Sequence, residues 1–198
     1  MKARESGMPD ETTWDGYFEP ERVLRRLGLT EMCRDVIDFG CGYGTFSLPA
    51  ARIVRGAVHA LDIEPAMVEA TAAKARSAGL ANVHVEQRDF ISLGSGLPDA
   101  SMDYAMLFNL LHCEEPLVLL REASRVLATW GRLGIMHWNH DPATPRGPSM
   151  DIRPCPEQCR VWAETVGFYP TTEGPIDLPP YHYGWVMRRC GTSTAVGE

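Results

Sequence analysis

The period of the hydrophobic positions changes several times along the chain, and each change marks an element. Val23, Leu24 and Leu27 share one helical face behind Glu19-Pro20-Glu21, and Gly28 closes that short helix. Asp35-Val36-Ile37-Asp38-Phe39 is a short apolar, β-branched run, the mark of a strand buried on both faces, and Gly40 stops it. The pattern then predicts a helix over Phe46–Val54, a second strand over Ala57–Ile63, and a long helix from Glu64-Pro65 through Ala78 closed by Gly79. A third strand over Asn82–Arg88, a fourth over Met102–Asn109, a helix over Glu115–Thr129 and a fifth strand over Arg132–Trp138 continue the alternation.

Strands alternating with helices at this spacing describe βαβ units, hence an α/β fold with a doubly wound parallel sheet covered by helices on both faces. After Trp138 the rhythm breaks. Residues Asn139 to Pro154 carry Pro142, Pro145, Pro148 and Pro154, too long a stretch for a passive connection and expected to be a functional or covering loop. A helix over Glu157–Val166 follows, then two strand-like pieces, Thr171–Ile176 and Tyr181–Arg188, joined by a Pro-rich turn and expected to close the sheet as an antiparallel pair.

Length and charge narrow the picture. A chain of 198 residues makes one domain, and it should bury roughly 70% of its unfolded surface without staples. A net charge of −7 argues against a nucleic-acid partner, which needs a basic face. The apolar run Tyr104–Cys113 is interrupted by Asn109 and His112, so no membrane segment is expected, and the residues after Met1 lack the apolar core of a secretory signal. A cytoplasmic location follows as the expectation, with the six cysteines held as thiols.

The chemistry concentrates where the first strand runs into Gly40-Cys41-Gly42-Tyr43-Gly44 and then a helix. Glycines at such a turn reach unusual backbone angles and let a ligand lie against the main chain. Asp62 ends the second strand roughly 20 positions on, where a carboxylate can accept both hydroxyls of a ribose. Asp89 ends the third strand, within reach of an adenine amine, with Phe90 or Ile63 to pack on the ring. Taken singly, Asp62 or Asp89 could instead be a helix cap or turn former, a reading that weakens when the three strand ends are taken together.

Asp38-Phe39-Gly40-Cys41-Gly42-Tyr43-Gly44, Leu61-Asp62-Ile63-Glu64 and Arg88-Asp89-Phe90 together resemble the signature of the class I S-adenosylmethionine-dependent methyltransferases. The resemblance spans Val36 to Trp138. It implies a Rossmann-like seven-stranded sheet with the last strand antiparallel, S-adenosyl-L-methionine as cofactor and methyl transfer as activity. It divides the chain into an N-terminal lid segment and helix, residues 1–34, and a methyltransferase domain, residues 35–198. It assigns Asp38 to the methionine amino group, Gly40, Gly42 and Gly44 to the turn under the cofactor, Asp62 to the ribose, and Asp89 with Phe90 to the adenine. Cys41, Tyr43, Ile63, Met67 and Asn109 complete the implied cofactor set. Asn109-Leu110-Leu111-His112 is similar to the Asn-x-x-His segment of small-molecule members such as quinone-biosynthesis methyltransferases, and departs from the Asn-Pro-Pro-Tyr type.

A nicotinamide-binding Rossmann enzyme is the nearest competitor, but its fingerprint is Gly-x-Gly-x-x-Gly, and Asp38 would repel a diphosphate where it attracts an ammonium. Displacement from a sulfonium depends mainly on positioning, with a base needed only where the acceptor carries a proton. His112, His137 and His140 are the candidate bases. His140, opening the long loop, is preferred over His137, which strand alternation keeps in the sheet, and His112 is the second choice. Tyr17, in the aromatic stretch Trp14–Phe18, is expected either to shield the methyl as part of a lid or to plug the edge of the core. No metal is expected. Cys113, Cys155 and Cys159 leave open a metalloid (arsenite-type) acceptor, though buried thiols acting as small apolar residues account for them better. A non-catalytic protein binding the same cofactor is the remaining alternative. The acceptor is expected to be a small molecule taken by O, N, C or S, and the protein a monomer or homodimer.

Overall fold

The computed structural model describes residues 9–190. Both ends of the expected division, residues 1–8 of the lid segment and 191–198 of the domain, lie outside the described residues. Five parallel strands form the body of the sheet: β1 (Val36–Phe39), β2 (Val58–Asp62), β3 (Val83–Gln87), β4 (Met102–Phe108) and β5 (Leu127–Trp138). Their order is β3-β2-β1-β4-β5, and β8 (His182–Arg189) pairs with β5 antiparallel. This is the expected α/β doubly wound sheet with an antiparallel last strand.

Strand alternation splits the core in two. Ile37, Phe39, Leu107 and Ile135 point to the side covered by α6 (Pro116–Val126) and α7 (Pro156–Thr165), which contribute Leu119, Leu120, Cys159 and Ala163. Val36, Tyr104, Met106 and Met136 point to the other side, under α2 (Pro20–Arg26) and α3 (Ser47–Ile53). Both α6 and α7 begin with proline, whose missing N–H has no partner to lose in a first turn. The long helix α4 (Pro65–Ser77) runs beside β2 and β3. Two short helices complete the set: α1 (Glu11–Asp15), capped by Asp10, and α5 (Phe90–Leu93), capped by Asp89.

Two boundaries differ from the sequence pattern. The helix expected through Thr129 ends at Val126, and Leu127 already pairs with Met102 of β4. The register then jumps to Tyr104 opposite Arg132, so the residues between bulge outward, with Trp130 at φ 68° and 59% exposed. Helical propensity in Leu127-Ala128-Thr129 is overridden by the ladder beside it. The closing pair also differs, because the arm opposite β8 is split. β6 (Phe168–Pro170) pairs with its last residues and β7 (Ile176–Leu178) with its first, giving eight strand segments instead of seven. Glu173-Gly174-Pro175 interrupts the arm, since glycine weakens a strand and proline cannot donate to the ladder. Among the described residues no helix is long and apolar enough to cross a membrane.

Candidate active site

The carboxyl ends of β1 and β2 hold two buried acids. Asp38 is 3% exposed, and Ser47 Oγ, in the first turn of α3, donates to its Oδ2 at 2.5 Å. Burial pushes the Asp38 carboxyl up to about 7, opposed by the Ser47 hydrogen bond and assisted by the nearby Asp62 charge. Such a carboxylate is short of a positive partner. Asp62 Oδ2 accepts the Gly42 N–H at 2.8 Å and Oδ1 the Glu64 N–H at 3.0 Å, so one side chain ties the glycine loop to the start of α4. Burial raises this carboxyl too, with the two amides opposing. Each of its oxygens keeps a second lone pair for a hydroxyl.

Gly40, Gly42 and Gly44 have φ of 72°, 53° and 79°, the left-handed region the turn requires. At Gly44 a Cβ would also lie 3.0 Å from Thr71 Cγ2, and the Thr71 hydroxyl donates to the Gly42 carbonyl at 2.7 Å. Cys41 and Met67 are buried around this loop. Tyr43 donates from its hydroxyl to the Pro9 carbonyl at 3.0 Å, while its own carbonyl accepts from Lys74 Nζ at 2.8 Å. Ile63 is half-buried and accepts from the Gln87 amide at 3.1 Å. Asp89 caps α5 by accepting the Ser92 N–H at 3.0 Å, and Phe90 packs edge-on against Phe39, ring centroids 5.4 Å apart.

The ends of β4 and β5 and the start of β8 form a second group. Asn109 follows β4 at φ 57°, its N–H donating to the Met136 carbonyl at 2.7 Å. Its side-chain Nδ2 and Oδ1 are buried without a hydrogen-bond partner in the protein. His112 Nδ1 lies 3.2 Å from His137 Nε2. Burial pushes His112 down to about 4 and holds the fully buried His137 well below its ordinary value, so both rings are neutral at pH 7. Burial also lowers His182 to about 3, and its ring sits between Trp138 (4.1 Å) and Phe18 (4.7 Å). His137 Nδ1 and His182 Nε2 are, with the two Asn109 atoms, the partnerless buried side-chain polar atoms among the described residues. Such atoms are rare and ask for a reason.

His140 is placed differently. It is exposed, and its Nδ1 meets the Arg153 carbonyl at 2.7 Å, in the long loop and apart from the His112–His137 pair. Arg153, which from the sequence could hold an anionic group or pair within the loop, instead collects the carbonyls of Pro148, Asn139 and Asp141 and so pins that loop. The pairing of His112 with His137 escaped the sequence reading because it depends on the β4–β5 register. Cys159 is fully buried, with Sγ 3.3 Å from the Tyr183 hydroxyl, and burial pushes its thiol up to about 12. Among the described residues no three His, Cys, Asp or Glu side chains gather to hold a metal ion, so Cys113, Cys155 and Cys159 do not form a thiol trio.

The N-terminal stretch leans on both groups. α1 reaches the glycine loop and α4 through an ion pair from Glu11 to Lys74 and through the Thr45 hydroxyl, which donates to Asp15 Oδ1 at 3.0 Å. Tyr17 stands edge-on to Trp138 (5.3 Å) and Tyr181 (6.1 Å), whereas Phe18 is buried against Phe46 at 5.2 Å. Tyr17 thus packs on the edge of the core beside Trp138 and Tyr181, and Phe18 plugs it.

Residues 36–131 match the family model described as "Methyltransferase domain". An aklanonic acid methyltransferase of Streptomyces sp. (strain C5) is 29% identical over 72% of this chain and 70% of its own length. A nocamycin O-methyltransferase of Saccharothrix syringae is 38% identical over 67% of this chain, and the match spans 48% of that longer protein. The crystal structure of a SAM-dependent methyltransferase from Aquifex aeolicus superposes with a TM-score of 0.78 and is 26% identical, covering 90% of this chain and 93% of that one. The chain belongs to the class I S-adenosylmethionine-dependent methyltransferases. S-adenosylmethionine is the cofactor of this methyltransferase, and the residues at its strand ends fit that molecule. Asp38 lacks a cation and the cofactor carries an ammonium. Asp62 is fixed by two amides with lone pairs to spare, and the cofactor carries a ribose diol.

Proposed function

We propose that this methyltransferase methylates a hydroxyl oxygen on a planar, ring-containing small molecule. The observation that carries this reading is the set of buried, partnerless side-chain atoms of Asn109, His137 and His182 where β4, β5 and β8 meet. The unpaired polar atoms would orient oxygen substituents, and the half-buried Tyr17 and Tyr181, on the His182 face of the sheet, offer rings to a flat molecule. Two of the relatives lend the same direction, one being named for aklanonic acid and the other for O-methylation.

In this reading Asp38 holds the methionine ammonium and Asp62 the ribose, while the glycine loop lets the cofactor lie against the backbone and Asp89 with Phe90 flanks the adenine. When bound, the cofactor supplies an activated methyl on a sulfonium, so the chain's own work is positioning. His112 is the base. It is half-buried where His137 is fully buried, and with Nδ1 committed to His137 its Nε2 is the nitrogen left for an acceptor proton. His137 acts through it as a positioning residue, fixing its tautomer and ring plane. Burial keeps the imidazole neutral at pH 7, so a ring nitrogen carries a lone pair to accept the hydroxyl proton. The net charge of −7 and the free thiols accord with a cytoplasmic enzyme that takes neither nucleic acid nor membrane as partner.

The test is a screen of S-adenosylhomocysteine release with polycyclic phenols and enols beside simple amines, thiols and arsenite. Turnover confined to the hydroxylated rings is the expected result. Turnover only with amines, thiols or arsenite, or with nothing at all, would overturn the reading.

A further inference from the structure

At the amino ends of the parallel strands, away from the cofactor, lies a half-enclosed pocket of about 600 Å³. Arg132 of β5 and Arg188 of β8 stand directly opposite each other in the antiparallel register, so both guanidinium groups leave the same face of the sheet. Tyr169 of β6 pairs with Arg188 on its other side, and Arg26, in the last turn of α2, closes the rim. Five residues of strand separate Arg132 from His137, roughly 16 Å at the usual rise.

Like charges placed face to face on neighbouring strands destabilise a sheet, and proteins ordinarily seat a carboxylate between them. Among the described residues none is present here: no Asp or Glu lines the pocket, and Arg26, Arg132 and Arg188 take part in no ion pair. Each guanidinium has five N–H donors. The hydrogen bond these three side chains make runs from Arg132 Nη1 to the Gly28 carbonyl at 3.1 Å, which holds Arg132 in place and leaves its remaining donors open. The Thr171 and Thr172 hydroxyls on the wall already donate to the Val186 and Gly174 carbonyls, so the charged donors offered to a ligand are those of the arginines.

We propose that this pocket is a second binding site, for a small molecule carrying a phosphate or diphosphate group. Planar guanidinium forks match phosphate oxygens two at a time, and two forks converging from adjacent strands with a third across the rim suit a multiply charged group better than a single carboxylate. Tyr169 and Val186 provide a ring face and an apolar floor for the rest of the molecule. The volume lies within the range of small-molecule sites. The site does not depend on the acceptor reading, since no residue is shared with the other end of the strands.

The test is isothermal titration of the full chain with inorganic pyrophosphate and with adenosine monophosphate, in the presence of saturating S-adenosylhomocysteine and against sodium chloride at equal ionic strength. Saturable binding of one equivalent is expected, weakened at least tenfold in Arg188→Gln and in Arg26→Gln, while both variants bind S-adenosylhomocysteine as the parent does and so are folded. Heats that match the chloride control for both phosphates would overturn the proposal. So would pyrophosphate binding that is equal in the parent and in both variants.

Discussion

The carboxyl edge of the sheet has two halves built on opposite principles. Around β1 and β2 the polar groups are already partnered within the protein: Asp62 by two backbone amides, Asp38 by Ser47, the Gly42 carbonyl by Thr71. Around β4, β5 and β8 the buried atoms of Asn109, His137 and His182 lack partners, and Asn109 is held at a positive φ. The contrast separates a half whose polar groups are hydrogen-bonded within the protein, with Asp38 still short of a cation, from one whose buried polar atoms have hydrogen bonds left to make. Under the proposed function a cofactor common to a whole family would be met by a rigid cradle, and an acceptor particular to one protein by side chains with bonds to spare.

The sharpest way to break this comparison is to remove the base. His112→Ala should lower kcat by roughly 10²–10⁴-fold with the S-adenosylhomocysteine Kd unchanged, whereas His140→Ala leaves kcat within about twofold. Equal losses in both would move the chemistry to the long loop. Next in size is Asp38→Asn, which should weaken S-adenosylhomocysteine by roughly 30-fold or more in calorimetry, the cost of losing one partner of a buried charge pair. Because burial raises Asp38 to about 7, the parent must lose that proton to hold an ammonium. Its affinity should therefore rise as pH increases through 7, and the rise should vanish in the variant. In the ligand-free chain the sign is reversed. The folded state holds the Asp38 proton more tightly than the unfolded chain, so this group's contribution to stability falls as pH climbs from about 4 to 7, and Asp38→Asn should remove that component from a thermal melt.

How far the cradle could be read before folding follows from the same contrast. Val36-Ile37-Asp38-Phe39 followed by three alternate glycines declares a strand and a turn locally, and Asp62 lies at a fixed distance along the chain, so the complete half was legible. The incomplete half was not. His112 meets His137 through the β4–β5 register, and Arg132 meets Arg188 through an antiparallel register, neither of which is written in spacing. The early start of β5 was missed because ladder pairing outweighed local propensity, whereas the split of the closing arm follows Gly174 and Pro175, which the strand expected over Thr171–Ile176 ran across.

Smaller effects refine the picture. Asp62→Ala should cost about tenfold in S-adenosylhomocysteine affinity, and because Asp62 also holds the Gly42 and Glu64 amides, it should lower the melting temperature of the ligand-free chain as well. Tyr17→Ala is expected to raise the acceptor KM several-fold while leaving the cofactor Kd unchanged. A Kd that moved with it would join the two halves. Smallest is Glu11→Gln, whose partly exposed pair with Lys74 is worth at most about 1 kcal/mol and should be erased by salt.

That last contact belongs to a stretch with two attachments. Residues 9 to 15 rest on the glycine loop and α4, and two residues later Tyr17 rests on Trp138 and Tyr181. A span so short cannot lift from one without tugging the other. Under the proposed function the cofactor and the acceptor would both meet that one span, so a substitution that loosens either anchor is felt at both ends of it.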